Sequence, residues 1–278
     1  MVTPETAVPV TEAQRFRVDA GGAESNVAAH VAALGHRAEW FSRLGVDAVG
    51  DRVLAQLASR GIDTSRVIRD PVHRTGLYVK DPGRGVSYYR DGSAASHLSP
   101  ADADGLDLAG IGILHLSGIT AAISASAAAF LDRVIDRARE AAVAVSFDVN
   151  HRAALWSAET AAPALAALAQ RVDILFTGRD EAESLWGVAR DDDIRGLFPR
   201  VAELVVKDGD VGATGYAGDR RVFEPALVVE VVEAVGAGDA FAGGYLASRL
   251  SGEDLDLRLR AGHCRAALTL RTTGDFVE

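Results

Sequence analysis

Near the C-terminus, Glu233-Ala234-Val235-Gly236-Ala237-Gly238-Asp239-Ala240-Phe241 runs from strand-like residues through a glycine turn into a long stretch of helix formers. A helix starting there aims the amides of Ala237, Gly238 and Asp239 outward from its N-terminus, which makes an anion site. Gly236 and Gly238 let the backbone approach a phosphate with no side chain in the way. Asp239 lies at the positive end of the helix dipole, so it is ionised and able to take a proton from a substrate hydroxyl. The same residues also suit an ordinary helix cap, for which aspartate is a favoured type. A second group of residues has the chemistry to hold an anion. Tyr88 and Arg90 are two apart on a strand and share a face. Arg152 follows an apolar run ending at Asp148, and a guanidinium grips a carboxylate or phosphate through two parallel hydrogen bonds. Arginines are also common as solvated surface charges.

These residues need elements to hold them. Short apolar runs alternate with helix-like segments: Ile111–Leu116 before Ser124–Ala142, Val143–Asp148 before Thr160–Gln170, Val172–Phe176 before Asp180–Trp186, and Asp191–Arg200 before Leu204–Lys207. Alternation of this kind builds a parallel sheet covered on both faces, with ligands gathering at the carboxyl ends of the strands. Two segments, Thr75–Asp81 and Val86–Arg90, flank Pro82-Gly83-Arg84-Gly85 and read as a hairpin. Phe16–Ala20 would join it as a small outlying sheet, a lid. Val222–Val232 is also strand-like, and Ala240–Leu250 and Leu255–Leu270 are helical in pattern.

Composition narrows the function further. The 278 residues carry 29 Lys and Arg against 39 Asp and Glu, a net charge of -10 that disfavours nucleic acid as a partner. The single Cys264 forms no internal disulfide, and no basic stretch followed by an apolar run marks a signal peptide, so a cytoplasmic location is expected. Leu108–Leu131 has no Asp, Glu, Lys or Arg, but His115, Ser117 and Gly118 mark it as strand, turn and helix rather than a membrane span.

Gly236-Ala237-Gly238-Asp239-Ala240-Phe241-Ala242-Gly243-Gly244-Tyr245 resembles the C-terminal signature of the ribokinase-like (PfkB) carbohydrate kinases. Gly21-Gly22-Ala23-Glu24-Ser25-Asn26-Val27-Ala28, Leu34-Gly35 and Arg43–Gly50 resemble that family's N-terminal signature, in the correct order. The resemblance covers nearly the whole chain. It implies an α/β fold: one three-layer α/β/α domain over 1–278 with a mostly parallel central sheet and a small β-sheet lid, its strands near 14–20 and 74–92. It also implies ATP and Mg2+ as cofactors, and a homodimer or higher homo-oligomer through the lid.

Within the family, Gly22–Asn26, Thr75–Tyr78, Tyr88–Ser96, Asp148–Arg152 and Ala154–Trp156 are most similar to the branch that phosphorylates 2-keto-3-deoxygluconate. On this resemblance Asp239 is the general base, with Gly236, Ala237 and Gly238 around the transferred phosphate. Gly22, Asn26, Tyr78, Tyr88, Arg90, Arg152 and Asp275 hold the sugar acid, and Lys207, Gly209 and Gly212 border the nucleotide. A kinase for fructose or another neutral sugar, or a non-catalytic sensor of a sugar acid or nucleotide, are the alternatives. Two departures stand out. Where the family often carries Asn-x-x-Glu, which organises magnesium through water, this chain reads Gly178-Arg179-Asp180-Glu181, leaving Glu181 alone in that role. The family's first core strand is also expected to be missing, leaving its neighbours with unpaired backbone groups.

Overall fold

The structure, a computed structural model, describes residues 1–6 and 8–274. Asp275, which the resemblance brings to the sugar, lies outside the described residues. The main sheet runs in the order Arg220–Pro225, Gly212–Ala217, Glu203–Asp208, Ile174–Gly178, Ala144–Asp148, Ile113–Ser117. The last four strands are parallel and the first two pairings antiparallel. Side chains alternate between the faces, as the two-residue period of a strand demands. Leu175, Leu204 and Val206 join one apolar cluster with Phe130, Leu131, Val134 and Leu165 from helices Ala125–Glu140 and Ala158–Ala169. Ile174, Phe176 and Val205 join the other, with Val27, Phe241, Tyr245 and Leu259 from helices Ala23–Ala33, Ala237–Leu250 and Leu255–Leu270. Three layers result, helices on both faces of one sheet.

Serine caps start two of these helices where the sequence turns from strand to helix. Ser124 accepts from the Ala127 amide, and Ser157 from the Thr160 amide. Among the described residues no helix is long and apolar enough to cross a membrane.

A second sheet stands off the first, in the order Phe16–Val18, Val2–Pro4, Leu77–Asp81, Gly85–Tyr89. Its Val2–Pro4 strand is one the sequence pattern does not single out. The strand-like run Val222–Val232 stops pairing at Pro225, because its partner ends at Gly212, directly opposite. Residues 226–236 then form turns and irregular chain, with Leu227, Val228, Val231 and Val232 exposed.

The described sheet is also interrupted. Strand Ile113–Ser117 ends the six-stranded sheet, and Ala38–Glu39 pairs only with Ile62–Asp63. Residues of both line a cavity of about 500 Å³ whose walls include Val27, Phe41 and Leu131.

Candidate active site

The register of the parallel strands sets three chemical groups along one rim. Asp148 pairs with Ser117 on one side and Phe176 on the other, and Gly178 pairs with Lys207, so the strands' carboxyl ends lie side by side. Above this rim sits a cleft of about 1190 Å³, roofed by the lid hairpin. Gly22, Asn26, Tyr78, Tyr88, Arg90, Arg152, Glu181, Lys207, Gly209, Gly212 and the Gly236–Asp239 turn all line it.

Helix Ala237–Leu250 begins where the glycine turn places it. Gly236 has φ 91°, a left-handed conformation that a residue with a Cβ enters at a cost. The Ala237 amide makes a long 3.3 Å turn bond to the Ala234 carbonyl, and the helix ladder opens with Ala240 N donating to Gly236 O at 2.9 Å. Asp239, 9% exposed, occupies the first turn. Its Oδ2 accepts from Asn26 Nδ2 at 2.8 Å and its Oδ1 from Asn150 Nδ2 at 3.4 Å. Asn150 reaches it from a left-handed backbone position, φ 43°, which asparagine tolerates better than most residues. Gly22 contributes differently: its φ of 147° starts the helix that carries Asn26.

A buried ion pair lies beside this carboxylate. Lys207 Nζ donates to Asp148 Oδ2 at 2.8 Å, and Asp148 is 2% exposed. Burial alone would push the ammonium's pKa down, but the charges of Asp148, Glu181 and Asp239 hold it above its ordinary value. A Cβ built on Gly238 would stand 3.5 Å from Nζ, which sets the cation at the mouth of the helix N-terminus. Lys207 thus sits at the end of the cleft where helix Ala237–Leu250 begins. The turn after it closes a hairpin, Glu203–Asp208 antiparallel to Gly212–Ala217, so Gly209 and Gly212 border the cleft as parts of that turn.

Glu181 does structural work that its sequence context hides. Its Oε2 accepts from the Gly178 amide at 2.8 Å and its Oε1 from the His151 amide at 3.0 Å, tying the loop after Ala144–Asp148 to the start of helix Arg179–Trp186. Burial raises its pKa against the pull of Lys207. The other oxygen of Asp148, Oδ1, is buried with no hydrogen-bond partner. A buried orphan carboxylate oxygen with a second carboxylate in the same cleft suits a hard cation such as magnesium. Among the described residues no three His, Cys, Asp or Glu side chains cluster to hold a metal alone.

At the other end, Tyr78 and Tyr88 sit opposite each other in the lid hairpin, their rings 6.2 Å apart. The Arg90 guanidinium lies 4.1 Å over the Tyr88 ring. Burial lowers the Arg90 pKa, against the opposing pull of Tyr88 and Glu24. The Arg152 side chain donates to the His151 carbonyl at 3.1 Å. Among the described residues neither guanidinium makes an ion pair with a carboxylate, and both face one pocket.

The structure brings together every site residue that it describes. It adds Asp148 and Asn150, whose signal was their place at the end of a parallel strand and just beyond it. It also adds Glu24, held by Thr120 and buried beside Arg90.

The profile of the pfkB family carbohydrate kinases matches residues 2–276. The chain is 36% identical over 274 residues to 2-dehydro-3-deoxygluconokinase of Bacillus subtilis (strain 168), covering 95% of this chain and 85% of that one. It is 34% identical to the enzyme of that name from Thermoproteus tenax, covering 97% and 85%. A solved structure of 2-dehydro-3-deoxygluconokinase from Thermotoga maritima superposes with a TM-score of 0.89 at 26% identity, covering 99% and 91%. With a sheet rim, a glycine turn and a lidded cleft arranged as described and this similarity along nearly its full length, the chain belongs to the pfkB family of carbohydrate kinases.

Proposed function

We propose that the protein transfers the γ-phosphate of ATP to the terminal hydroxyl of a sugar acid, 2-keto-3-deoxygluconate, giving the 6-phosphate. The observation that carries the choice of an acid is the Arg90 and Arg152 pair, two guanidinium groups lining one cleft with no ion pair to a carboxylate among the described residues. Arg90 is half-buried and Arg152 exposed at the cleft, where two guanidinium groups suit a carboxylate ligand. The names of the relatives from Bacillus subtilis and Thermoproteus tenax point the same way.

In this reading the sugar lies between the tyrosines of the lid and Asn26. Its terminal hydroxyl gives its proton to Asp239 while its oxygen bonds to the γ-phosphorus and the bond to ADP breaks. Asn26 and Asn150 hold the carboxylate of Asp239 so that it accepts along one direction. The first-turn amides of helix Ala237–Leu250 and the Lys207 ammonium face the charge that builds on the transferred group. Magnesium, bound near Asp148 and Glu181, would neutralise phosphate charge. The lid keeps water, a competing nucleophile, out of the cleft.

A coupled ADP-release assay with 2-keto-3-deoxygluconate, gluconate, fructose and ribose tests the reading. The expected result is the highest kcat/KM for 2-keto-3-deoxygluconate. A preference for fructose would make the protein a neutral-sugar kinase, and sugar-acid binding with no ADP release on any substrate would make it a sensor.

A further inference from the structure

The run Arg43-Leu44-Gly45-Val46-Asp47-Ala48-Val49-Gly50 takes no part in the phosphate chemistry proposed above, yet it packs at the root of the lid hairpin. Asp47 is the N-cap of helix Ala48–Ser59, and its Oδ1 accepts from the Gly50 amide at 2.8 Å. Its other oxygen, Oδ2, accepts from the Thr75 amide at 2.8 Å, two residues before the lid strand Leu77–Asp81. Thr75 is held from the other side as well: Gly45 N donates to its Oγ1 at 3.0 Å. Two glycines leave room for this exchange. A Cβ on Gly45 would collide with Asp47 Oδ2 and stand 2.7 Å from Thr75 N, and a Cβ on Gly50 would stand 2.8 Å from Thr75 Oγ1. The body side of the joint is fixed, because strand Arg43–Gly45 pairs with Ile68–Asp70. The two lid strands are also fastened to each other here. Ala94 N donates to Arg74 O at 2.8 Å, and a Cβ on Gly76 would lie 3.2 Å from Arg90 Cβ.

We propose that Asp47 is a positioning residue for the sugar: its carboxylate fastens the start of helix Ala48–Ser59 to the root of the lid, and so fixes where Tyr78, Tyr88 and Arg90 stand over the cleft. The inference rests on the reading of that cleft as a sugar-kinase site. Asp47 does not itself line the cleft, so it acts through Thr75. Tyr78 lies three residues beyond Thr75 on the outgoing strand, opposite Tyr88, and Arg90 abuts Gly76 at the end of the returning one. With the root held, a sugar meets a preformed wall. With it loose, binding must also order the lid, and affinity falls accordingly. The other end of the cleft is built differently. Lys207 is part of the main sheet and helix Ala237–Leu250 packs on that sheet, so neither depends on this joint.

The test compares the wild type with Asp47→Ser. Serine caps a helix about as well as aspartate, but its single oxygen, given to the Gly50 amide, leaves the Thr75 amide unheld. ADP release is followed with sugar and ATP varied in turn, using whichever of 2-keto-3-deoxygluconate, gluconate, fructose and ribose the wild type turns over fastest. KM for the sugar should rise about tenfold, the loss of one charge-assisted hydrogen bond, while KM for ATP stays within about twofold. A variant that is merely less stable loses active enzyme, which lowers the apparent kcat and leaves both KM values alone. That result, unchanged kinetics, or an equal rise in both KM values overturns the proposal. Should Asp47→Ser not fold, Asp47→Asn, with one carbonyl oxygen for two amides, carries the same comparison. Residue-resolved hydrogen exchange by NMR needs no variant: in the wild type the Thr75 amide should be protected at least about a hundredfold over the unfolded chain, and exchange at the unfolded rate overturns the proposal. A wild type that releases no ADP with any of the four sugars overturns the kinase reading and this role with it. A wild type active on one of them, with a level sugar KM in Asp47→Ser, removes only the role of Asp47.

Discussion

The charges in the cleft divide into two sets with different tasks, and single substitutions should separate them. Arg90 and Arg152 line the cleft with the lid tyrosines, where the proposed sugar acid would lie. Arg152→Ala should raise KM for a sugar acid by roughly tenfold to a hundredfold, the loss of a charge-assisted hydrogen bond, and leave KM for ATP nearly unchanged. Steady-state kinetics with each substrate varied in turn checks this, and equal effects on both would show that Arg152 does not read the carboxylate. Lys207 sits by the start of helix Ala237–Leu250, where the proposed phosphate would lie, and also neutralises Asp148. Lys207→Met leaves that buried carboxylate without its cation, so it should lower kcat and also cost about 3 kcal/mol of stability, measured by urea denaturation. The arginines and the base were legible as residue types in the sequence. The ion pair of Lys207 with Asp148, and the two asparagines gripping Asp239, were not. They join residues 59, 89 and 213 positions apart, and spacing along a chain carries no signal for contacts that only the fold creates.

Elements deliver these residues through a few local devices. The turn before helix Ala237–Leu250 depends on Gly236 in its left-handed conformation, so Gly236→Ala should destabilise the protein by about 1–2 kcal/mol and weaken nucleotide binding, read from thermal melts with and without ATP. A second device holds the chain at the foot of the lid. Asp70, at the end of strand Ile68–Asp70, accepts from the amides of Val72 and His73 at 2.8 and 2.9 Å and pairs with Arg43 at 3.0 Å. The bonds from His73 and Val72 hold its pKa well below the ordinary 3.8. Because the folded value is depressed, this contribution is present above the unfolded pKa and is lost as pH falls below about 4. Denaturation midpoints between pH 6 and pH 3 should therefore drop, and the drop should shrink in Asp70→Asn. Most helices and strands could be read from the alternation of apolar runs and caps. Val222–Val232 could not, because its β-branched residues suit a strand but the partner it needs stops at Gly212. The Val2–Pro4 strand escaped notice for the opposite reason: three residues carry too little pattern to mark a strand.

At the scale of the whole molecule, the lid sheet and the rim of the main sheet form one site from segments spread between Gly22 and Asp239. The layered fold was legible because a buried parallel sheet needs unbroken apolar runs, and Ile174-Leu175-Phe176 is one. The cavity beside Ile113–Ser117 has a consequence of its own. Amides of that strand that point away from Ala144–Asp148 should exchange with solvent on the order of a hundredfold faster than those inside the sheet, measured by hydrogen-exchange mass spectrometry. Equal protection would mean that something pairs with that edge. The proposed reaction rests on one carboxylate, Asp239. The most direct measurement is single-turnover ADP release from ATP and 2-keto-3-deoxygluconate by Asp239→Asn, with ATP affinity followed by calorimetry on the same sample. Loss of about 10²–10⁴ in rate with ATP affinity retained is the predicted result; a variant that keeps near-normal turnover would contradict the assignment of Asp239 as the base.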